Sequence, residues 1–121
     1  MGADANTLLT TWLDRQFRSP SDVTVTSGGV ACPLNTFAVT VTTDGDSNLD
    51  NLTLAAGTVG QVLYIACKAQ GNAGDSYKIT PATMVGGTII TFGAPPIGKG
   101  CTMLRTSEGW AVIGNNGGTI S

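Results

Sequence analysis

The sequence predicts an all-β protein: a single sandwich or barrel-like domain of about seven or eight short strands, preceded by a short N-terminal amphipathic helix. Three observations lead to this prediction. Apolar and polar residues alternate with a period of two after residue 22. Clusters of Gly, Asn, Asp, Ser and Pro, which favour turns, separate the alternating segments. Only 12% of the 121 residues are charged, whereas 17 are Gly and 18 are Thr, a composition typical of strands joined by tight turns.

The first element is a helix from Asn6 to Arg18, inside an N-terminal helix or arm that we assign to residues 1–22. It ends before Pro20, because proline disfavours a helical conformation in the residue before it. Its apolar side chains form one stripe, which consists of Leu8, Leu9, Trp12, Leu13 and Phe17. An isolated helix of about a dozen residues is marginal in water. We therefore expect the stripe to rest on the β domain or to dock on another subunit or protein, together with the segment from Ser19 to Asn35.

The β domain is assigned to residues 23–121. Its candidate strands, in order, are Val23 to Val25, Phe37 to Val41, Leu52 to Ala55, Gln61 to Ala69, Ser76 to Thr80, Thr88 to Phe92, Cys101 to Thr106 and Trp110 to Gly114. Because Trp110 stands in such a strand, we expect it to be core. The polar run from Asn115 to Gly118 is predicted to be a flexible tail.

The cysteines and the hydropathy indicate the compartment in which the protein is made. Cys32, Cys67 and Cys101 are odd in number and widely spaced, which suits neither a disulfide framework nor a CxxC metal site. We expect them to be reduced and partly buried. No apolar run is long enough for a membrane span and no signal peptide is recognisable, so we expect no membrane partner and synthesis in a cytoplasm.

The composition also argues against several functions. The chain contains no histidine, which excludes Ser-His-Asp and Cys-His catalysis and histidine-ligated zinc. We therefore expect no enzymatic activity, no catalytic residue and no cofactor. A net charge of −2 without a basic run is also unfavourable for binding to a phosphate backbone, so no nucleic-acid partner is expected.

Two near-motifs for ligand binding depart from their patterns. The run from Gly93 to Gly100 matches G-x-x-x-x-G-K, but Gly100 replaces the Ser or Thr that would hold magnesium, and a strand rather than a helix follows. We interpret it as a loop between two strands. The run from Asp44 to Asp50 places oxygen ligands at alternate positions, as a calcium loop does. Leu49 and Ala55 replace the Gly and the Glu of that loop, so we expect an Asx-rich turn and no metal, although calcium stays an alternative.

A resemblance adds to this interpretation from about Leu54 onward. Thr58-Val59-Gly60-Gln61-Val62-Leu63 comes first, then Thr80-Pro81-Ala82 with Gly86-Gly87-Thr88-Ile89-Ile90-Thr91-Phe92, and last Gly109-Trp110-Ala111-Val112-Ile113-Gly114-Asn115-Asn116-Gly117. This order of motifs resembles small virion structural proteins of tailed bacteriophages, in particular the head decoration (cement) and head-fibre-like proteins of marine and cyanobacterial phages.

The resemblance implies a viral structural protein on the outside of the capsid. Such a protein forms a homotrimer, binds the outer surface of the major capsid protein lattice and stabilises the DNA-filled head. The helical stripe is then the candidate docking surface, an assignment that rests on its apolar anchors. The alternative is a fibre or tail domain that binds a host-surface glycan, for which Tyr64, Tyr77 and Trp110 are the available aromatic platforms of the β domain.

Overall fold

Ten strands make up most of the chain that the structure, a computed structural model, describes, residues 19–121. They are β1 (Ser21–Val25), β2 (Val30–Ala31), β3 (Ala38–Thr43), β4 (Leu49–Leu54), β5 (Val62–Ala69), β6 (Ser76–Pro81), β7 (Ile90–Phe92), β8 (Gly100–Thr106), β9 (Gly109–Asn116) and β10 (Gly118–Ile120). The predicted all-β sandwich is confirmed. The sheets do not close into a barrel.

Each sheet contains five strands. Sheet 1 has the order β1-β3-β5-β8-β9 and sheet 2 the order β10-β7-β6-β4-β2. From β1 to β6 the chain therefore changes sheet after every strand. In this half, each strand pairs in parallel with the strand that comes two places later in the chain: β1 with β3, β3 with β5, β2 with β4 and β4 with β6. Parallel neighbours need a long crossover connection, and here the strand in the opposite sheet forms part of that connection.

The last four strands change the pattern. β7 pairs antiparallel with β6 and with β10, and β8 pairs antiparallel with β5 and with β9. The sandwich thus combines a parallel, alternating half with an antiparallel half.

The core lies between the two sheets, because every second side chain of each strand points inward. The burial of β3, β5 and β6 follows this period of two. The largest fully buried side chains are Trp110, Tyr77 and Phe92. Tyr77 stacks on Phe92 with ring centroids 4.7 Å apart, and the Trp110 indole N–H donates to the Ala55 carbonyl at 2.8 Å. The predicted core position of Trp110 is confirmed.

The C-terminal tail prediction is wrong. β9 extends to Asn116, Gly117 turns the chain with φ 84°, and β10 follows and pairs with β7. The Asn115 side chain closes this turn, since its amide donates to the Gly118 carbonyl at 2.9 Å and its oxygen accepts from the Gly118 N–H at 2.8 Å. The polar run from Asn115 to Gly118 therefore spans the end of β9, the turn at Gly117 and the start of β10, and it leads the chain from one sheet to the other.

The observed strands differ from the predicted ones at two further places near the start of the β domain. Strand β2, which is two residues long, was not expected, and β1 begins at Ser21, slightly before the domain boundary drawn at residue 23. The predicted helix from Asn6 to Arg18 lies outside the described residues. No helix of residues 19–121 is long and apolar enough to cross a membrane.

Candidate functional site

The predicted docking residues do not fall within the structure. Leu8, Leu9, Trp12, Leu13 and Phe17 lie outside the described residues, so their docking role stays a prediction. The adjoining segment from Ser19 to Asn35 is not a free arm. It contains β1 and β2, and β1 pairs with β3 along its whole length. Val25 is fully buried and Cys32 is 6% exposed, so both belong to the core.

Two loops at one end of the sandwich bring four carboxylates together. Asp44 and Asp46 belong to the loop between β3 and β4, Asp50 is the second residue of β4, and Asp75 directly precedes β6. Parallel pairing of β4 with β6 sets Asp50 opposite Tyr77, so the loops before both strands meet at the same end of sheet 2. We call these four residues the aspartate cluster.

Backbone hydrogen bonds fix the cluster. The Asp75 carboxylate accepts from the N–H of Gly45 at 2.9 Å and of Ser47 at 2.5 Å. The Asp44 N–H points to Asp50 Oδ2 at 3.4 Å. Asp75 thereby holds the loop between β3 and β4 from a distance of 30 residues along the chain.

The predicted Asx-rich turn is confirmed, and it forms the other half of the cluster. The Asp46 N–H donates to Asp44 Oδ1 at 3.4 Å, and the Asn48 N–H donates to Asp46 Oδ1 at 3.0 Å. The two loops also touch through their backbones, because a Cβ at Gly71 would lie 2.5 Å from the Gly45 Cα. A side chain at Gly71 would therefore force the loops apart.

The electrostatics of the cluster are unusual. One carboxylate oxygen from each of the four residues lies within 4.8 Å of the others. Asp44 and Asp46 are exposed, whereas Asp50 and Asp75 are fully buried. Burial, with the neighbouring carboxylates in support, raises the pKa of Asp50 to about 6. Burial also raises the pKa of Asp44, while the hydrogen bond from the Asn48 N–H lowers the pKa of Asp46.

No basic side chain compensates this charge within the described part of the chain. The single ion pair of residues 19–121 joins Lys68 to Asp22 at 2.8 Å, and neither residue belongs to the cluster. Moreover, Asp50 Oδ1 is buried without any hydrogen-bond partner. Buried charges are normally paired or bound to a metal ion, so the arrangement is suited to receiving a cation.

The calcium-loop near-motif of the sequence includes three of the four aspartates and leaves out Asp75. Its carboxylate lies in a different turn, Gly74-Asp75-Ser76, and only the pairing of β4 with β6 brings that turn to the first one. The sequence did contain one indication of the cluster, since a turn with aspartate precedes each of the two strands β4 and β6. A sequence pattern does not tell which two strands are neighbours.

The phosphate-loop near-motif is a strand connection, as expected. The run from Gly93 to Lys99 links β7 to β8, and Gly100 is the first residue of β8. The Lys99 ammonium donates to the Gly93 carbonyl at 2.8 Å, within the same loop. The lysine is thus engaged by its own loop rather than by a ligand pocket.

The three cysteines are free and buried, which confirms the expectation from their spacing. Burial raises the pKa of Cys32 and of Cys101 to about 12 and also raises the pKa of Cys67. Since the thiolate is the reactive form, these thiols are core side chains rather than nucleophiles.

The aromatic side chains divide clearly between core and surface. Tyr77 and Trp110 are fully buried and cannot serve as glycan platforms. Tyr64 is 51% exposed on β5, and its ring meets Phe37 edge to face at a centroid distance of 6.4 Å. Ile113, on β9 of the same sheet, is 57% exposed.

Comparison with known proteins returns no match: no protein-family model, no curated protein and no solved structure corresponds to this chain.

Proposed function

We propose that this chain is a capsid decoration protein of a tailed bacteriophage, which binds the outer surface of the major capsid protein lattice as a homotrimer. The observation that carries the proposal is the order of motifs from about Leu54 onward, which resembles that of phage decoration and head-fibre-like proteins. The proposal places the protein on the exterior of the virion.

The motifs that carry the resemblance form turns and loop contacts in the fold, which supports a resemblance in architecture. The Gln61 amide donates to the Leu34 carbonyl at 2.7 Å, and its oxygen accepts from the Thr58 N–H at 3.2 Å. Gly109 has a φ of 138°, and a Cβ there would lie 2.9 Å from the Thr83 carbonyl oxygen. A chain that keeps these residues in this order is expected to keep the same turns and the same strand pairing.

The surface supports a role in protein contact. The chain carries a net charge of −2 and few charged residues, and Tyr64 and Ile113 expose apolar surface on sheet 1. A neutral β surface with apolar side chains favours contact with other subunits. In this proposal the stripe around Trp12 and Leu13 supplies the anchors that grip the capsid, because buried aromatic and aliphatic anchors dominate interface energetics.

Such a protein would act by mass action. If it binds the expanded lattice but not a disrupted one, each site gains stability by RT ln(1 + [L]/Kd), which is about 2.7 kcal/mol at a free concentration of 100 Kd. The contribution repeats at every site of the shell. A head under internal pressure from DNA would thereby be held together without any chemical reaction.

The alternative, a fibre or tail domain that binds a host glycan, retains one supporting observation. Tyr64 offers an exposed ring, and a sugar can stack on such a platform beside polar partners. Tyr77 and Trp110 are buried in the core, so of the three aromatic side chains that the sequence suggested as glycan platforms Tyr64 alone is exposed.

The test is co-sedimentation of the purified full chain with expanded, undecorated phage capsids, combined with the mass of the free protein from light scattering. The proposal expects saturable binding at a fixed ratio to the capsid protein and a trimeric mass. A stable protein that never binds capsids, but binds glycans in a manner abolished by Tyr64→Ala, would replace the proposal with the fibre alternative.

A variant pair tests the docking surface. Trp12→Ala with Leu13→Ser is expected to abolish capsid binding while the melting curve of the free protein stays unchanged. The matched control, Asp14→Ala with Arg15→Ala, alters the polar face of the same predicted helix and should retain binding. Collapse of the free fold in the first variant would instead show that the stripe is core.

A further inference from the structure

The aspartate cluster concentrates negative charge that the described residues leave uncompensated. Four carboxylates share one small region, and Asp50 and Asp75 are fully buried there. Asp75 is stabilised by two backbone N–H donors. Asp50 is held more weakly, by one long contact of 3.4 Å from the Asp44 N–H to Oδ2.

A second observation points to a ligand. Asp50 Oδ1 has no hydrogen-bond partner although the residue is fully buried. A buried acceptor without a partner loses its hydration without compensation, and the loss is larger when the group is charged, so native proteins rarely keep one. One oxygen of the Asp50 carboxylate lies within 4.8 Å of a carboxylate oxygen from each of the other cluster members. A cation between them would satisfy this oxygen and neutralise the repulsion among the four groups.

The donor type and spacing favour calcium among the common cations. Carboxylate oxygens are hard ligands, and Ca²⁺ accepts six to eight oxygens at about 2.3–2.6 Å. Two ligands on opposite sides of such an ion are about 4.6–5.2 Å apart, and the four carboxylate oxygens lie within 4.8 Å of one another. Mg²⁺ requires a tighter octahedral shell at about 2.0–2.1 Å.

We propose that Asp44, Asp46, Asp50 and Asp75 bind a Ca²⁺ ion that joins the β3–β4 loop to the β5–β6 loop. These loops connect sheet 1 to sheet 2 at two successive turns of the alternating half. The ion therefore fastens neighbouring turns of the chain and stiffens this end of the sandwich. The alternate spacing of Asp44, Asp46 and Asp50 resembles a calcium loop, and Asp75 supplies a further carboxylate from outside that loop.

The primary test is isothermal titration of Ca²⁺ into the full chain after treatment with EDTA and removal of the chelator. The expected result is one ion per chain with a dissociation constant on the order of 10⁻⁵ M, within the range of protein calcium sites. Two millimolar Ca²⁺ should raise Tm by about 5–20 °C, and the same concentration of Mg²⁺ by much less. Absence of binding heat together with an unchanged Tm would overturn the proposal, as would an equal effect of Mg²⁺.

Three variants identify the ligands. Asp46→Asn keeps an acceptor for the Asn48 N–H and should fold normally, but weaken Ca²⁺ binding at least tenfold. Asp50→Asn removes the buried charge, so it should raise the Tm of the calcium-free protein and abolish the increase caused by Ca²⁺. Glu108→Gln, which makes the same charge change in an exposed turn, is the matched control and should bind like the wild type. Unchanged Ca²⁺ binding by both aspartate variants would refute the assignment.

Discussion

A single methyl group at Gly100 provides the sharpest test of the fold. Gly100 begins β8 opposite Ala66 of β5 in an antiparallel pair. A Cβ at this position would lie 2.0 Å from the Ile65 carbonyl oxygen and 2.8 Å from the Ala66 Cα. Both obstacles are backbone atoms, so no side-chain rotation can relieve the contact. The Gly100→Ala variant must therefore move β8 away from β5.

The cost follows from these distances. An ordinary van der Waals contact of a Cβ is about 3.4–4 Å, so the strands would have to separate by more than an ångström. Overpacking of this kind costs about 1–3 kcal/mol, and each weakened ladder hydrogen bond adds about 1 kcal/mol. We expect Gly100→Ala to destabilise the domain by about 3–5 kcal/mol. At about 4 °C or more per kcal/mol for a domain of this size, Tm should fall by at least about 12 °C.

The assay is thermal and urea unfolding followed by circular dichroism. Gly93→Ala is the control, because no atom lies within 4 Å of a Cβ at that position and its φ is not positive. Its effect should stay within about 1 kcal/mol. A Gly100→Ala protein that melts within about 2 °C of the wild type would refute the pairing of β5 with β8.

Three further results are expected. Trp110→Phe keeps most of the apolar contact but leaves the Ala55 carbonyl without its donor, so urea unfolding should show a loss of about 1–3 kcal/mol. The native protein should not react with a thiol reagent at pH 8 and should become fully reactive in urea, because burial raises the pKa of Cys32 and Cys101 to about 12; rapid labelling of the native protein would contradict this. Burial raises the pKa of Asp50 to about 6, so without divalent cations the folded protein holds this proton more tightly than the unfolded chain does. The resulting stabilisation is fully present below about pH 4 and is lost as the pH rises through about 6. Asp50→Asn should therefore reduce the fall in Tm over this range, and identical pH profiles of the variant and the wild type would contradict the assignment.

Much of the strand content could be predicted because it depends on local pattern. Alternation indicated the inward positions Val39 and Val41 of β3, and turn residues marked the separations between the candidate strands. The burial of Trp110 followed from its place in a strand, and the free state of the cysteines from their odd number and wide spacing. The error at Asn115 to Gly118 arose because turn residues have the same composition as a polar tail.

Of the aspartate cluster, the sequence indicated one loop. Asp44, Asp46 and Asp50 stand at alternate positions and were recognisable as an Asx-rich run. Asp75 lies outside that run. Its position in the cluster depends on the parallel pairing of β4 with β6, whose connection passes through the other sheet.

The sequence by itself determined the class of this protein: an all-β chain with tight turns, buried thiols and no histidine for catalysis. Only the tertiary structure decided that the strands from β1 to β6 alternate between two sheets, that the C-terminus supplies a tenth strand, and that four carboxylates converge at one end. The physical reason is that a period of two specifies which face of a strand is apolar, whereas the choice of neighbouring strand depends on contacts between residues far apart in the chain.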